Sequence, residues 1–212
     1  MSNNIFKTKG FWLSVAVCLL PALLSLAFYD KMPDTVVTHW NFKNEPDGYS
    51  PKWVAVFLIP SVLFAANILI WFALNAEPKK RGINRHIKGV VLWTLPVLSV
   101  IVQCMIIMFS VKGINLVRFV PLIIGIMFVV IGNYLPKCRQ NFTMGIKLPW
   151  TLASEENWNR THRLAGKLWI IGGFIMSLYA IFEMHTVFFI IVIIMMIIIP
   201  SIYSYAMYRK GI

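Results

Sequence analysis

Long apolar stretches alternate with shorter polar segments along the whole chain. None of these stretches contains Asp, Glu, Lys, Arg or His. Crossing the hydrocarbon core of a bilayer as a helix takes about 20 residues, and a helix satisfies its own backbone hydrogen bonds in lipid. The pattern predicts an all-α, polytopic membrane protein, one membrane domain over residues 1–212 with about six transmembrane helices. The predicted spans are Phe11–Phe28, Trp53–Leu74, Gly89–Val111, Phe119–Leu135, Leu168–Phe182 and Val187–Met207.

The fifth stretch is short, and the polar residues before it indicate that its helix begins earlier. Ser154 suits the N-cap position, and the acidic pair Glu155–Glu156 suits the positive end of a helix dipole. Downstream, residues at spacings of 4, 3 and 4 share one helical face, and these are Trp158, His162, Ala165 and Trp169. We therefore expect an amphipathic interfacial helix that runs on into the fifth span.

The distribution of basic residues predicts the orientation. With the N-terminus inside, fifteen of the 20 Lys and Arg residues fall in cytoplasmic segments and five fall outside. Because short cytoplasmic loops carry an excess of Lys and Arg, we expect both termini in the cytoplasm. The basic inner face also suits anionic lipids as partners.

Composition excludes several classes of protein. The chain is 58% hydrophobic and 13% charged, whereas a soluble domain carries about 25% charged residues. Its net charge of +12 lies between apolar runs rather than along one basic face, so direct nucleic-acid binding is not expected. The three cysteines, Cys18, Cys104 and Cys138, form no disulfide or zinc pattern.

The external loop, residues 29–52, carries polar and aromatic side chains. The alternation over 36–41 favours a short extended segment, and Pro46-Asp47-Gly48 is a turn signal. We expect a folded lid over the helix ends. Asp34, His39 and Asp47 could together bind a metal or relay protons, although one histidine with two carboxylates is a weak pattern.

The cytoplasmic loop, residues 136–167, contains Pro149-Trp150-Thr151-Leu152 and the beginning of the amphipathic helix. It could be an interfacial anchor, a docking platform for a partner or a catalytic site. No GxSxG, HExxH, P-loop or paired-histidine motif is present. We expect no enzymatic activity, catalytic residue, metal or cofactor.

The two loops resemble the SdpI immunity family of bacterial membrane proteins. The cytoplasmic residues that match the family pattern are Asn141, Gly145-Ile146-Lys147, Pro149-Trp150-Thr151-Leu152, Glu155, Trp158 and Arg163. The external residues that resemble the family's N-terminal module, itself of unknown function, are Pro33-Asp34, His39-Trp40-Asn41 and Asp47-Gly48-Tyr49.

This resemblance implies a multi-pass protein of the bacterial plasma membrane that protects the cell from a secreted peptide toxin. It further implies that a member can sense the toxin and hold a cytoplasmic autorepressor at the membrane. The toxin-facing residues would be Asp34, His39, Trp40, Asn41, Asp47, Gly48 and Tyr49. The partner-docking residues would be Asn141, Gly145, Lys147, Pro149, Trp150, Thr151, Glu155, Trp158 and Arg163.

Two alternatives remain. One is a small permease or efflux protein, which is disfavoured because a transport pathway usually places an ionisable group near the membrane midplane, and the predicted spans contain none. The other is a membrane-embedded enzyme that uses His39 with Asp34 and Asp47.

Overall fold

The structure, a computed structural model, describes residues 5–41, 43–76, 85–182 and 186–212. Among these residues, six helices are long and apolar enough to cross a membrane, and each overlaps one predicted span. They are Lys9–Ala27, Val54–Ala76, His86–Lys112, Val117–Lys137, Glu155–Phe182 and Val187–Arg209. The predicted all-α, polytopic membrane fold is confirmed.

The regular elements of the described residues are mostly long helices. The α-helices are α1 (Lys9–Ala27), α2 (Ile59–Ala76), α3 (Arg85–Lys112), α4 (Val120–Tyr134), α5 (Pro149–Ala153), α6 (Glu155–Phe182) and α7 (Thr186–Arg209). One π-helical turn, Val54–Leu58, leads into α2. Short 3-10 turns lie at Ile5–Lys7, Tyr29–Lys31, Val117–Phe119 and Leu135–Lys137. The strands are β1 (Thr35–Trp40) and β2 (Pro46–Pro51).

The chain divides into two compact units. The first comprises Met1–Ala76 with Val91–Arg118, and the second comprises Glu77–Val90 with Phe119–Ile212. The single membrane domain over residues 1–212 stays a prediction. So does the orientation, part of which rests on Lys79, Lys80 and Arg81, which lie outside the described residues.

Two serines of α1 hold the first unit together inside the apolar helices. Ser14 Oγ accepts a 2.8 Å hydrogen bond from the indole N–H of Trp71 and a 3.4 Å bond from Asn67 Nδ2. Ser25 Oγ accepts a 2.5 Å bond from Gln103 Nε2. Each serine donates to a carbonyl of its own helix. The few polar side chains within these spans therefore bond across helices, as is usual in lipid.

An antiparallel hairpin of β1 and β2 comes after α1. Its inner side is a core cluster of Met32, Val36, Ala55, Val56 and Ile106, to which Trp40 adds its half-buried ring. The expected extended segment and the folded lid are thus observed, with the hairpin packed on the beginning of the second span and the end of α3.

The turn of this hairpin differs from the prediction. Pro46, Asp47 and Gly48 lie in β2, and the turn is instead organised by Asn41 and Asn44. There Asn41 Oδ1 accepts the backbone N–H groups of Lys43 and Glu45 at 2.8 and 3.1 Å, and Asn44 adopts a positive φ of 61°. The prediction of a Pro-Asp-Gly turn is wrong because two asparagines form the turn. Asn44 tolerates the left-handed conformation, and Asn41 supplies the turn-closing hydrogen bonds.

In the second unit, α4 and α6 pack backbone against backbone. A Cβ added at Gly132 would lie 2.8 Å from the carbonyl oxygen of Gly166. One at Gly125 would lie 2.5 Å from that of Gly173. Within each helix, the two glycines are seven residues apart, which corresponds to two helical turns. Small residues permit this close helix approach in lipid.

Helix α6 runs without interruption from the loop into the fifth span, as expected. Ser154 caps it, since Ser154 Oγ accepts the N–H of Asn157 at 3.2 Å. The predicted face is also observed: Trp158, His162 and Ala165 are fully buried, and Trp169 is half-buried. This face therefore packs within the protein, which gives the tryptophans a structural role beyond interfacial anchoring.

Replacing Gly132 with alanine should lower the free energy of unfolding by about 1–3 kcal/mol, because the new methyl group overpacks the crossing of α4 and α6. Thermal unfolding in detergent measures the change. Gly89→Ala is the matched control, since a Cβ there meets no described atom within 4 Å and alanine favours a helix. Equal melting temperatures for the two variants would contradict the close helix packing.

Candidate functional site

The external hairpin separates the acidic residues that the sequence grouped together. His39 Nδ1 lies 2.5 Å from Asp47 Oδ1, and both side chains are largely exposed. Asp34 instead forms a 3.0 Å ion pair with Lys52. This hydrogen bond is the main reason why the pKa of Lys52 is raised above its ordinary value. The structure thus divides the predicted trio into two separate pairs, and no group of three His, Cys, Asp or Glu able to hold a metal occurs among the described residues.

The close pairing of the two strands explains Gly48. It lies opposite His39 in the sheet, and a Cβ added at Gly48 would sit 2.6 Å from that of His39. Any larger residue would push the strands apart. Gly48 therefore lets His39 and Asp47 meet, and Tyr49 beside it is 63% exposed. We call His39, Asp47 and Tyr49 the outer face of the hairpin.

The remaining predicted external residues hold the hairpin in place. Trp40 packs edge-on against Phe109 of α3, with ring centroids 5.6 Å apart. Asn41 closes the turn with its side-chain oxygen. The carbonyl of Asn44 accepts a 2.8 Å hydrogen bond from Asn115, which lies just beyond α3. Trp40 and Asn41 are therefore positioning residues, whereas the side chains of the outer face are exposed.

Asn141 organises the first half of the cytoplasmic loop. Its buried side chain accepts the N–H groups of Thr143 and Met144 at 2.9 and 2.7 Å and donates to the carbonyl of Arg139 at 2.8 Å. It also donates to the sulfur of Cys138 at 3.3 Å. Burial raises the pKa of the Cys138 thiol, so the thiol stays neutral beside this turn. Asn141 therefore ties the loop to the end of α4.

The loop is pinned to α6 by two stacked rings. Trp158 and His162 stack with centroids 4.0 Å apart. The Trp158 indole N–H donates to the carbonyl of Cys138 at 2.7 Å. His162 Nε2 accepts the N–H of Ile146 at 3.0 Å, while Nδ1 lies 2.7 Å from the carbonyl of Trp158. The partners require a neutral histidine with its proton on Nδ1, because only that form donates and accepts at these atoms.

Gly145 is the position where the loop passes over these rings. Its φ is +111°, and an added Cβ would lie 2.5 Å from His162 Nε2 and 2.8 Å from the Trp158 ring. Both the backbone conformation and the lack of space demand glycine. The family-like Gly145 and Trp158 are therefore two halves of one packing contact.

The Pro-Trp-Thr-Leu segment forms the short helix α5. Pro149 occupies its first turn, where a missing N–H costs nothing. Thr151 Oγ1 accepts the N–H of Leu148 at 2.9 Å, and its hydroxyl lies 2.8 Å from the carbonyl of Ile146. Lys147 donates to two loop carbonyls at 3.2 Å. Pro149, Thr151 and Lys147 thus hold the loop in shape.

Trp150 points away from this network. Its ring lies 5.3 Å from Tyr205 and 6.0 Å from Tyr208 of α7, and both tyrosines are about half exposed. The indole N–H of Trp150 is buried and has no hydrogen-bond partner within the part of the chain that the structure describes. An unmet donor of this kind is costly, so it suits a ligand or partner that brings an acceptor. We call Trp150, Tyr205 and Tyr208 the aromatic cluster.

Glu155 and Arg163 are exposed residues of α6. Glu155 lies in the first turn, where its charge suits the helix dipole. Arg163 lines an open groove of about 260 Å³ with Arg160, Leu164, Lys167 and Tyr203. We call these five residues the basic groove. Of the predicted cytoplasmic residues, Arg163 and Trp150 thus lie on surfaces suited to binding.

Two structural residues are absent from the sequence-based predictions. Asn157 is fully buried and bonds to the backbone oxygens of Ser204 and Ile212 at 3.0 and 3.1 Å and to the hydroxyl of Ser204 at 2.6 Å. Gln140 donates to two carbonyls of α5, those of Thr151 and Leu152, at 2.9 Å. The position of Asn157, one residue before Trp158 on the same helix, is the one signal that could have found it.

Gly145→Ala should release the loop from α6. The combined strain and collision correspond to about 1–3 kcal/mol, so the amide of Ile146 should exchange with deuterium roughly ten- to a hundredfold faster. Hydrogen-exchange mass spectrometry of a peptide over 138–148 measures this. Gly211→Ala is the control, since φ there is +84° but no described atom lies within 4 Å of the new Cβ. Unchanged exchange in Gly145→Ala would show that the contact is not what holds the loop.

Comparison with known proteins gives three findings. The SdpI/YfhL protein family matches residues 137–204, which include the cytoplasmic loop, α6 and most of α7. A domain of unknown function, DUF1648, matches residues 16–64, which include the external hairpin. Immunity protein SdpI of Bacillus subtilis (strain 168) is 24% identical over 201 residues, covering 93% of this chain and 95% of that protein.

No solved structure matches the chain. The two family regions coincide with the two loops that carry the family-like motifs. The SdpI resemblance is confirmed: this multi-pass membrane chain carries the SdpI/YfhL family region and is similar to an SdpI immunity protein along nearly its whole length.

Proposed function

We propose that this chain is an immunity protein of the bacterial plasma membrane that protects its cell from a secreted peptide toxin. The similarity to an immunity protein over 93% of the chain carries the proposal. It covers both extramembrane elements as well as the spans. The six apolar helices support a place in the same compartment that a membrane-active toxin attacks.

The outer face of the hairpin is the proposed toxin-facing surface. Its His39–Asp47 pair offers hydrogen bonds and charge, and Tyr49 offers an exposed ring. A two-stranded sheet also leaves one edge of each strand open to a further strand, and extended peptides commonly bind in that way. Because the inner side is anchored by Trp40 and Val36, a peptide can bind without unfolding the hairpin.

The aromatic cluster supports a second proposed role, the docking of a cytoplasmic transcriptional repressor. Tyrosine and tryptophan dominate the energy of many protein interfaces, and the buried indole N–H of Trp150 needs an acceptor. A backbone carbonyl of a partner would supply it once docking moves the rings of the aromatic cluster apart, because the N–H is shielded in the free protein. Toxin binding outside would then alter repressor retention inside, which is the signalling half of the proposal.

Protection is tested by the survival of a toxin-sensitive bacterium that expresses the chain and is challenged with an SDP-type peptide toxin. The unaltered chain should protect. His39→Ala and Tyr49→Ala should each lower the tolerated toxin concentration, by about tenfold for the loss of an exposed anchor. Lys112→Ala, an exposed residue at the end of α3, is the control and should protect fully.

Other outcomes point to other functions. Full protection by both hairpin variants would contradict the toxin-facing assignment. Toxin uptake into inverted vesicles that depends on a proton gradient would favour a permease. Loss of a chemical conversion of the toxin in His39→Ala would favour a membrane-embedded enzyme.

The docking role predicts that Trp150→Ala loses the membrane-bound fraction of the repressor, measured by fractionating cells before and after toxin exposure. Trp150→Phe separates the two contributions, because it keeps an aromatic ring but removes the N–H donor. If the unmet hydrogen bond matters, Trp150→Phe should lose about 1–2 kcal/mol of docking energy. Normal retention in Trp150→Ala would contradict the docking role while leaving protection untouched.

A further inference from the structure

One stripe of α6 changes from basic to apolar along its length. Its exposed side chains recur every three or four residues, which places them on one helical face. The first three members are cationic and the next four are apolar. In order they are Arg160, Arg163, Lys167, Ile171, Phe174, Leu178 and Ile181.

This order fits a helix whose outer face meets lipid. Ile171, Phe174 and Ile181 are 58%, 58% and 64% exposed, and side chains of this kind suit the hydrocarbon core. The basic residues precede them by one to three turns. Lysine and arginine next to an apolar span sit at the depth of the headgroups.

The basic groove lies between α6 and α7, at the basic end of this stripe. It is an open cavity of about 260 Å³ lined by Arg160, Arg163, Leu164, Lys167 and Tyr203. Leu164 gives it an apolar wall, and Tyr203 of α7 places a phenol on the other side. Below it on α7, Ile198 and Ile202 are also exposed, so both helices offer apolar surface beside the groove.

The charge of the groove is only partly balanced. Arg160 forms a 2.6 Å ion pair with Glu156 one turn earlier. Arg163 and Lys167 have no ion-pair partner within 5–41, 43–76, 85–182 and 186–212. Among these described residues, two cations of the groove therefore line a small open cavity without an ion-pair partner.

We propose that the basic groove binds the phosphate headgroup of an anionic phospholipid of the inner leaflet, with the acyl chains along Ile171 and Phe174. Arg163 and Lys167 bind the phosphate, and arginine suits this because its planar donors match phosphate oxygens. A lipid is favoured over an acidic protein segment because the groove is small and continues directly into apolar surface on both helices. The proposal is independent of the immunity function.

Native mass spectrometry of the full chain tests it, after release from nanodiscs made of equal parts phosphatidylglycerol and phosphatidylcholine. The unaltered chain should retain phosphatidylglycerol in preference to phosphatidylcholine. The double variant Arg163→Gln/Lys167→Gln should retain about tenfold less phosphatidylglycerol. Arg209→Gln/Lys210→Gln removes the same charge from two exposed residues outside the groove and should retain as much as the parent.

Two further measurements keep the result decisive. Arg163→Lys preserves the charge and should keep most of the bound lipid, and equal melting temperatures for all variants exclude misfolding as the cause. Equal lipid loss in both double variants would overturn the site. So would displacement of the lipid by inorganic phosphate at matched concentration, or binding of an acidic peptide with no lipid preference, since each points to a different occupant.

Discussion

The stacked pair of Trp158 and His162 is the contact on which the loop over residues 136–167 depends. Trp158 donates a hydrogen bond to the carbonyl of Cys138, and His162 accepts one from the N–H of Ile146. Cys138 and Ile146 lie at the two ends of one loop segment. That segment can reach the rings only because Gly145 has no side chain and takes a positive φ. In an apolar interior, each of these polar groups would be costly without its partner. The loop, the end of α4 and the first turns of α6 therefore hold one another in place.

This architecture separates two kinds of residue within one motif. One kind makes its contacts within the protein; its members are Asn141, Gly145, Thr151 and Trp158. Trp150 packs against the half-exposed tyrosines of the aromatic cluster, and Arg163 lines the open basic groove. The family resemblance alone does not distinguish structural residues from binding residues. The geometry gives the first group a structural role and leaves the second group available for a partner or a lipid.

Periodic features of this chain are predictable from its sequence, whereas features decided by individual polar contacts are not. The six apolar runs and the face of Trp158 and His162 are correct predictions because burial in a helix repeats every three or four residues. The predicted hairpin turn is wrong because the side chain of Asn41 closes a turn that Pro46-Asp47-Gly48 was expected to make. The hydrogen-bond partners of Asn157 are not predictable from the sequence, since they lie 47 and 55 residues away. Toxin recognition is not predictable from this chain alone, because it also depends on the surface of the toxin.

We propose that a peptide toxin binds this chain at its external hairpin. Cross-linking tests it most directly: a toxin carrying a photoreactive group is bound to the chain in nanodiscs, and the adducts are mapped by mass spectrometry. We expect adducts in β1 and β2, at or beside His39 and Tyr49, which disappear when unlabelled toxin competes. Adducts confined to the cytoplasmic loop, or no adduct at a toxin concentration that the chain protects against in cells, would contradict the claim.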